Sequence, residues 1–201
     1  MIEKYDPEML FLQEVRIDTQ NKADTPLMLQ KDFPSYYGYY SPVFDFSKDY
    51  GKGSLMTNSM QEGLYTLSKY SIDINYMDLA IIPGVDRRPR GLQCIEYKGL
   101  KISHIHMSKH KASRKIAITD LPISDIIVGD YNMQYDEVYS YFGKDYTIAY
   151  QQSSYISYPT KNITLDHCST RTGKILDITT IPVSRSDHHA IVYTLDLPES
   201  I

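Results

Sequence analysis

The sequence has no tryptophan, only five phenylalanines and only two cysteines in 201 residues. Cys94 and Cys168 stand far apart with no C-x-x-C spacing, which excludes a disulfide framework and a cysteine-built zinc centre. A reducing, intracellular compartment is the expectation. No stretch approaches 18 consecutive apolar residues, so no membrane-spanning helix is expected. The opening Met-Ile-Glu-Lys-Tyr-Asp-Pro lacks the basic and apolar regions of a secretory signal. Positive charge is not in excess either: 21 Lys and Arg stand against 25 Asp and Glu, for a net charge of −4. That argues against a protein that coats nucleic acid through phosphate contacts alone. It leaves room for an enzyme that holds one phosphodiester through a metal ion and a local basic rim. No repeat, low-complexity run or linker divides the chain, so residues 1–201 read as one domain, long enough to bury a core without staples.

What is abundant is tyrosine, with 19 residues. Tyrosine combines apolar area with a hydroxyl and suits half-buried strands and stacking on ligands. Short apolar or alternating runs predict strands over 9–12, 36–43, 53–57, 78–83, 92–97, 101–107, 125–128, 165–169, 175–183 and 190–197. Lys98-Gly99 reads as a hairpin turn. Helices are expected over 21–32, with Pro26 in the first turn, and over 111–121. Many short strands with sparse helices point to sheet packed on sheet with helices outside. Two basic clusters, Arg87, Arg88 and Arg90, and Lys109, His110, Lys111, Arg114 and Lys115, each read alone as a solvated face.

Chemically capable residues follow strand-like runs repeatedly. Glu14 follows 9–12, His106 follows 101–105, Asp130 and Asn132 follow 125–128, and Asp187 and His188 precede 190–197. Singly, each has a plain structural explanation: a surface acid, a core histidine, an Asp/Asn turn. Together they form a set that could converge on one rim, held by rigid strands. Phosphoester hydrolysis needs a hard cation on the phosphate, a group that presents water, and stabilisation of the leaving oxygen. Glu14 is a credible ligand for Mg²⁺, and His188 a credible base or phosphate partner, with a nearby Asp to fix its tautomer. His167, His189 and Cys168 adjoin these positions and are expected to face elsewhere or to be structural.

The segments Asp-Pro-Glu-Met-Leu-Phe-Leu-Gln-Glu-Val (6–15), Gly-Ser-Leu-Met-Thr-Asn (53–58), His-Ile-His-Met (104–107), Ile-Val-Gly-Asp-Tyr-Asn (127–132), Leu-Asp-His (165–167) and Ser-Asp-His-His (186–189) resemble, in order, the motifs of the endonuclease/exonuclease/phosphatase (DNase I-like) superfamily. The resemblance implies a four-layered α/β sandwich and a metal-dependent phosphoesterase, with a nucleic-acid phosphodiester as the expected substrate. Small or lipid phosphates, or an inactive binding module, are the alternatives. It implies Mg²⁺, or Mn²⁺, as the cofactor, with no other cofactor and no membrane partner. By the same resemblance Glu14 and Asp187 attend the metal, and His106 contacts the phosphate. Asp130 and Asn132 orient water and phosphate, Asp166 pairs with the catalytic histidine, and His188 is that histidine. Two departures stand out: the family's opening strand, which carries an Asn, has no counterpart here, and the connection from His106 to Asp130 is short. A gap or exposed sheet edge beside the strand leading to Glu14 is therefore expected, unless the strand over 190–197 has moved in.

Overall fold

The computed structural model describes residues 2–18, 23–45, 60–83, 85–86, 88–184 and 186–198; the expected strand over 53–57 lies outside them. The first sheet has order β2-β1-β4-β3, built from β1 (Met9–Asp18), β2 (Ala23–Asp24), β3 (Tyr37–Asp45) and β4 (Met60–Ser68). The second has order β5-β6-β7-β8-β10-β9, from β5 (Asp73–Leu79), β6 (Arg90–Tyr97), β7 (Leu100–His106), β8 (Ile126–Asp130), β9 (Thr147–Ile148) and β10 (Asp166–Thr170). Strands β11 (Lys174–Ile181) and β12 (Ala190–Asp196) form a two-stranded ribbon. All ladders are antiparallel except β7–β8, whose parallel pairing needs a crossover, and helix α3 (Lys111–Thr119) lies on that connection. The other helices are α1 (Ile2–Tyr5), α2 (Thr25–Asp32) and α4 (Tyr135–Phe142).

Three apolar clusters show how these elements stack. Val15, Tyr65 and Leu67 of the first sheet pack with Leu29 of α2. Ile95, Ile102, Ile126, Val128 and Cys168 of the second sheet pack with Met9 and Phe11 of β1 and with Ile178 and Ile191 of the ribbon. Leu92, Ile105 and Ile127, on the other face of the second sheet, pack with Ala117 of α3 and Val138 and Phe142 of α4. The order is therefore helix, sheet, sheet, helix. A strand with both faces in such clusters carries an unbroken apolar run, which is why 9–12 and 126–128 read as they do.

Strand β1 does not stop at Leu12. It continues to Asp18 through a bulge between Leu12 and Val15, where Glu14 adopts φ +54°. Strand β3 bulges against β4 at the same level, between Pro42 and Phe44. Both irregularities meet at Gly63, where a Cβ would run into the Ser41 carbonyl oxygen. Extra residues at bulges bend a strand and re-aim its side chains. Here the bend turns Gln13 toward His104 and leaves the Glu14 side chain part-exposed at the sheet's end.

Other boundaries move for physical reasons. The strand expected over 78–83 is β5 at 73–79. Strand β4 was not foreseen, because burial of nearly all of Gly63–Ser68 removes the alternation that marks a strand. Helix α4 was hidden by its tyrosines, which favour strands. Helix α2 begins at Thr25, with the Asp24 carboxylate accepting from the Leu27 N–H at 2.9 Å and Pro26 in the first turn. Among the described residues no helix is long and apolar enough to cross a membrane.

On its side away from β4, β1 pairs only at Ile17 and Asp18, with β2; β12 pairs only with β11. Thus, among the described residues, Met9–Leu12 and β12 each present an edge without a ladder partner. Between them runs a groove of about 710 Å³ floored by Ile102, Ile126 and Val128, and Glu14, Asp130, Asp166 and His188 also line it.

Two outcomes follow from this backbone. Gly63→Ala should lower unfolding free energy in urea by about 1–3 kcal/mol, the scale of overpacking; an unchanged midpoint would show that the double bulge does not depend on Gly63. Unpaired edges are templates for pairing, so sedimentation velocity should show association that grows with protein concentration, and a concentration-independent monomer would contradict that.

Candidate active site

The second sheet sets the geometry through register. His106 of β7 is the Cα partner of Asp130 of β8, and Asp130 is the Cα partner of Asp166 of β10. Three titratable residues thus form one row at one end of the sheet, neighbours at the interstrand spacing of roughly 4.8 Å. His188, just ahead of β12, closes on the row: its Nδ1 stands 2.6 Å from Asp166 Oδ2. A carboxylate oxygen only accepts, so Nδ1 carries the proton and Nε2 is the nitrogen left to act.

Each member is held by partners the sequence did not advertise. Ser157 Oγ accepts from the Leu165 and Asp166 N–H groups at 2.9 and 3.1 Å, and the Ser157 carbonyl accepts from His189 N–H at 2.7 Å. One serine therefore ties together the segments carrying Asp166 and His188. Tyr155 and Tyr193 hydroxyls both donate to the Asp166 carbonyl, at 2.8 and 3.2 Å. Tyr158 lies 4.9 Å from the His188 ring, centroid to centroid. Gly129, at φ +134°, lets β8 pass close to the Ile105 carbonyl as it delivers Asp130. Asn132 sits in the left-handed region at φ +50°; its N–H donates to Asp130 Oδ1 at 2.7 Å and its amide to the Met107 carbonyl at 2.8 Å. Asn132 thereby fixes the turn that follows Asp130.

His104, two residues before His106, belongs to a buried polar relay between the sheets. Its Nδ1 is 2.8 Å from Gln93 Oε1, an acceptor, so Nδ1 donates and Nε2 accepts from the Gln13 amide at 2.7 Å. Burial pushes the His104 pKa down to about 3, which keeps the ring neutral as this pattern requires. Gln13 is the other bulge residue beside Glu14, so the relay anchors the kink that carries Glu14.

Charge separates the remaining groups. Burial, then the Arg90 guanidinium, holds His106 well below the ordinary histidine range. The neutral ring stands 3.6 Å from Asp130 Oδ2 and 3.9 Å from Glu14 Oε1, and these approaches are not ion pairs. Burial, then the neighbouring Asp166 charge, raises the Asp130 carboxyl to about 7. At His188 burial opposes the charged ring, but the hydrogen bond and charge of Asp166 outweigh it and lift the pKa to about 9.

Asp130, Asp166 and His188 each offer a ligand atom within 4.8 Å of the others, as a metal group would. Within that trio His188 Nδ1 and Asp166 Oδ2 are engaged with each other in the 2.6 Å hydrogen bond. Glu14 and Asp187 line the same groove with exposed carboxylates and lie outside that trio. The oxygen-rich donor set fits a hard divalent cation. His167 turns away, its Nε2 on the Met133 carbonyl at 2.9 Å. Cys168 is buried with its thiol pushed up to about 12, a packing residue and not a nucleophile. The basic clusters are not simply solvated faces: Arg114 is buried and paired with Glu137 at 2.9 Å, and Arg90 is half-buried against His106.

No family model and no curated protein matches the chain. Solved structures do. An endonuclease/exonuclease/phosphatase from Beutenbergia cavernae DSM 12333 aligns over 99% of this chain at TM-score 0.78 and 14% identity; the chain spans 65% of that protein's length. An endonuclease/exonuclease/phosphatase family protein from Leptotrichia buccalis C-1013-b aligns over 98% of this chain and 90% of its own, at TM-score 0.68 and 15% identity. TDP2 from D. rerio, complexed with a single-stranded DNA product, aligns over 97% and 88%, at TM-score 0.60 and 16% identity. At such identities the likeness establishes the fold shared with these proteins, a DNase I-like mixed α/β architecture.

The Asp166–His188 pair is directly testable. Asp166→Asn should drop the His188 titration from about 9 toward the free value of about 6.5, read by ¹H–¹⁵N NMR of the imidazole. A titration that stays near 9 in the variant would show that Asp166 does not set it.

Proposed function

We propose that the protein is a metal-dependent phosphoesterase of the endonuclease/exonuclease/phosphatase superfamily, acting on phosphodiesters of nucleic acid. The observation that carries this reading is the Asp166–His188 hydrogen bond at the end of a row that already contains His106 and Asp130. The groove beside the row has apolar walls and polar, titratable groups at one end, and Tyr158 beside His188 offers a face for a base. That a fold neighbour was solved with a single-stranded DNA product supports the substrate class.

Each residue has a part in this scheme. Glu14 and Asp187, which line the groove outside the hydrogen-bonded Asp166–His188 pair, would supply protein oxygens to a divalent cation. Mg²⁺, or Mn²⁺, neutralises the phosphate charge when bound. Asp130, with its raised pKa, is placed to accept a proton from water, and Asn132 keeps its carboxylate in position. His188, protonated at neutral pH, places a positive N–H against a phosphate oxygen and can give its proton to the departing oxygen. Two groups whose environments set different proton affinities thus divide the base and acid roles. His106, kept neutral, contributes a ring nitrogen to the phosphate. An intracellular setting accords with the two unpaired cysteines.

Labelled single-stranded DNA and RNA should be cut in the presence of Mg²⁺ and left intact in excess chelator. His188→Ala should lower kcat by at least about 10²-fold. Because the protonated His188 is the working form, kcat/KM should fall as pH rises through about 9. Undiminished cleavage in chelator would remove the metal, an unchanged H188A rate would remove His188, and turnover of inositol or lipid phosphates alone would redirect the substrate.

A further inference from the structure

Five arginines lie among the described residues. Arg16 and Arg88 share the Glu62 carboxylate, Arg114 pairs with Glu137, and the exposed Arg171 lies over the Tyr146 ring. Arg90 differs. Among the described residues no carboxylate stands within salt-bridge distance of it. Its Nε is buried with no hydrogen-bond partner there. Among the described residues its one polar side-chain contact is Nη1 against the His106 ring, 3.4 Å from Nδ1 and 3.2 Å from Nε2. A neutral imidazole does not compensate a guanidinium removed from water, and an uncompensated buried charge is costly.

The position explains what could compensate it. Arg90 opens β6, next to Gly91, which is the Cα partner of His106. It therefore extends the His106–Asp130–Asp166 row by one strand. A small pocket there is walled by Arg90, His106 and Glu14, with Phe44 and Leu64 behind. Glu14, Asp130 and Glu62 act on Arg90 electrostatically from beyond salt-bridge distance, and the Arg88 cation opposes them. Arg88, also half-buried, is engaged by Glu62, and Lys109, which lines the groove, is exposed, so Arg90 is the half-buried cation here with no carboxylate at salt-bridge distance among the described residues.

We propose that Arg90 is a phosphate-binding residue of the site, its guanidinium taking a phosphoryl oxygen from the His106 side, opposite His188. The assignment rests on the phosphoester reading above and adds a guanidinium whose buried Nε–H has no partner among the described residues. A planar guanidinium offers two parallel N–H donors to one phosphoryl group, and lysine does not.

Inorganic phosphate is the probe. Its binding to the metal-free 201-residue protein is measured by titration calorimetry, and separately as competitive inhibition of bis-p-nitrophenyl phosphate hydrolysis with Mg²⁺. Arg90→Gln should weaken phosphate by about 10- to 100-fold, the scale of a lost charge-assisted pair. Arg90→Lys should recover only part of that. In both variants the His188 titration should keep its raised value, which shows the row intact. Should R90Q fail to fold, R90K decides alone, with several-fold weaker phosphate expected. Phosphate bound equally by wild type and variants, or not bound by the wild type, overturns the assignment. Arg90-dependent phosphate binding without any phosphoester turnover would leave Arg90 standing and remove the reaction. Turnover with unchanged phosphate inhibition in the variants would keep the reaction and remove Arg90.

Discussion

Two carboxylates on adjacent strands at the end of a packed sheet repel each other, and the ladder register between β8 and β10 allows no retreat. The site is organised around that conflict. Asp130 relieves it by holding a proton up to about pH 7, and Asp166 by gripping the imidazolium of His188. Ser157, Tyr155 and Tyr193 then fix the Asp166 backbone, so the imidazolium finds its partner in one place. On the other side His106 borders Asp130 as a neutral ring. The pair of proton affinities that results is a product of strand spacing before it is a product of any one residue.

Environment also divides the histidines. His104 and His106 share a strand and are two residues apart, and burial pushes both well down. His104 spends its two nitrogens on Gln93 and Gln13 and so belongs to the scaffold. His106 stands at the rim and keeps a nitrogen near Glu14 and Asp130. His188 is less buried and faces a carboxylate directly, and it moves in the opposite direction. Identical side chains thus take up different contacts and proton affinities according to what lies within a few ångströms.

Much of this was legible in the sequence, for identifiable reasons. The strands ending at His106 and Asp130 announce themselves by apolar residues that stop at polar ones, and those stops are where the sheet ends; the short strand that starts at Asp166, Asp-His-Cys-Ser-Thr, carries no such run. The hairpin at Lys98-Gly99 and the first turn of α2 carry local signals of their own. Glu14 was legible as a residue but not as a bulge, because the irregularity lies opposite Gly63, 49 positions on, in a strand that shows no alternation. Arg90 was illegible as a buried cation: three arginines in four residues look like a solvated face until β6 turns one of them onto His106. Ser157 and the tyrosines act through long-range contacts, and no local pattern marks them.

The row draws its members from far apart along the chain: Glu14 near one end, His106 and Asp130 in the middle, Asp166 and His188 near the other. During synthesis Glu14, His106, Asp130 and Asp166 emerge first, while the imidazole that pairs with Asp166 is still untranslated. Vectorial folding of the earlier strands can proceed without it. A growing polypeptide would therefore hold Asp130 and Asp166 side by side without their imidazole partner until the segment around His188 leaves the ribosome and docks, so the order of residues along the chain sets when the carboxylate conflict is relieved.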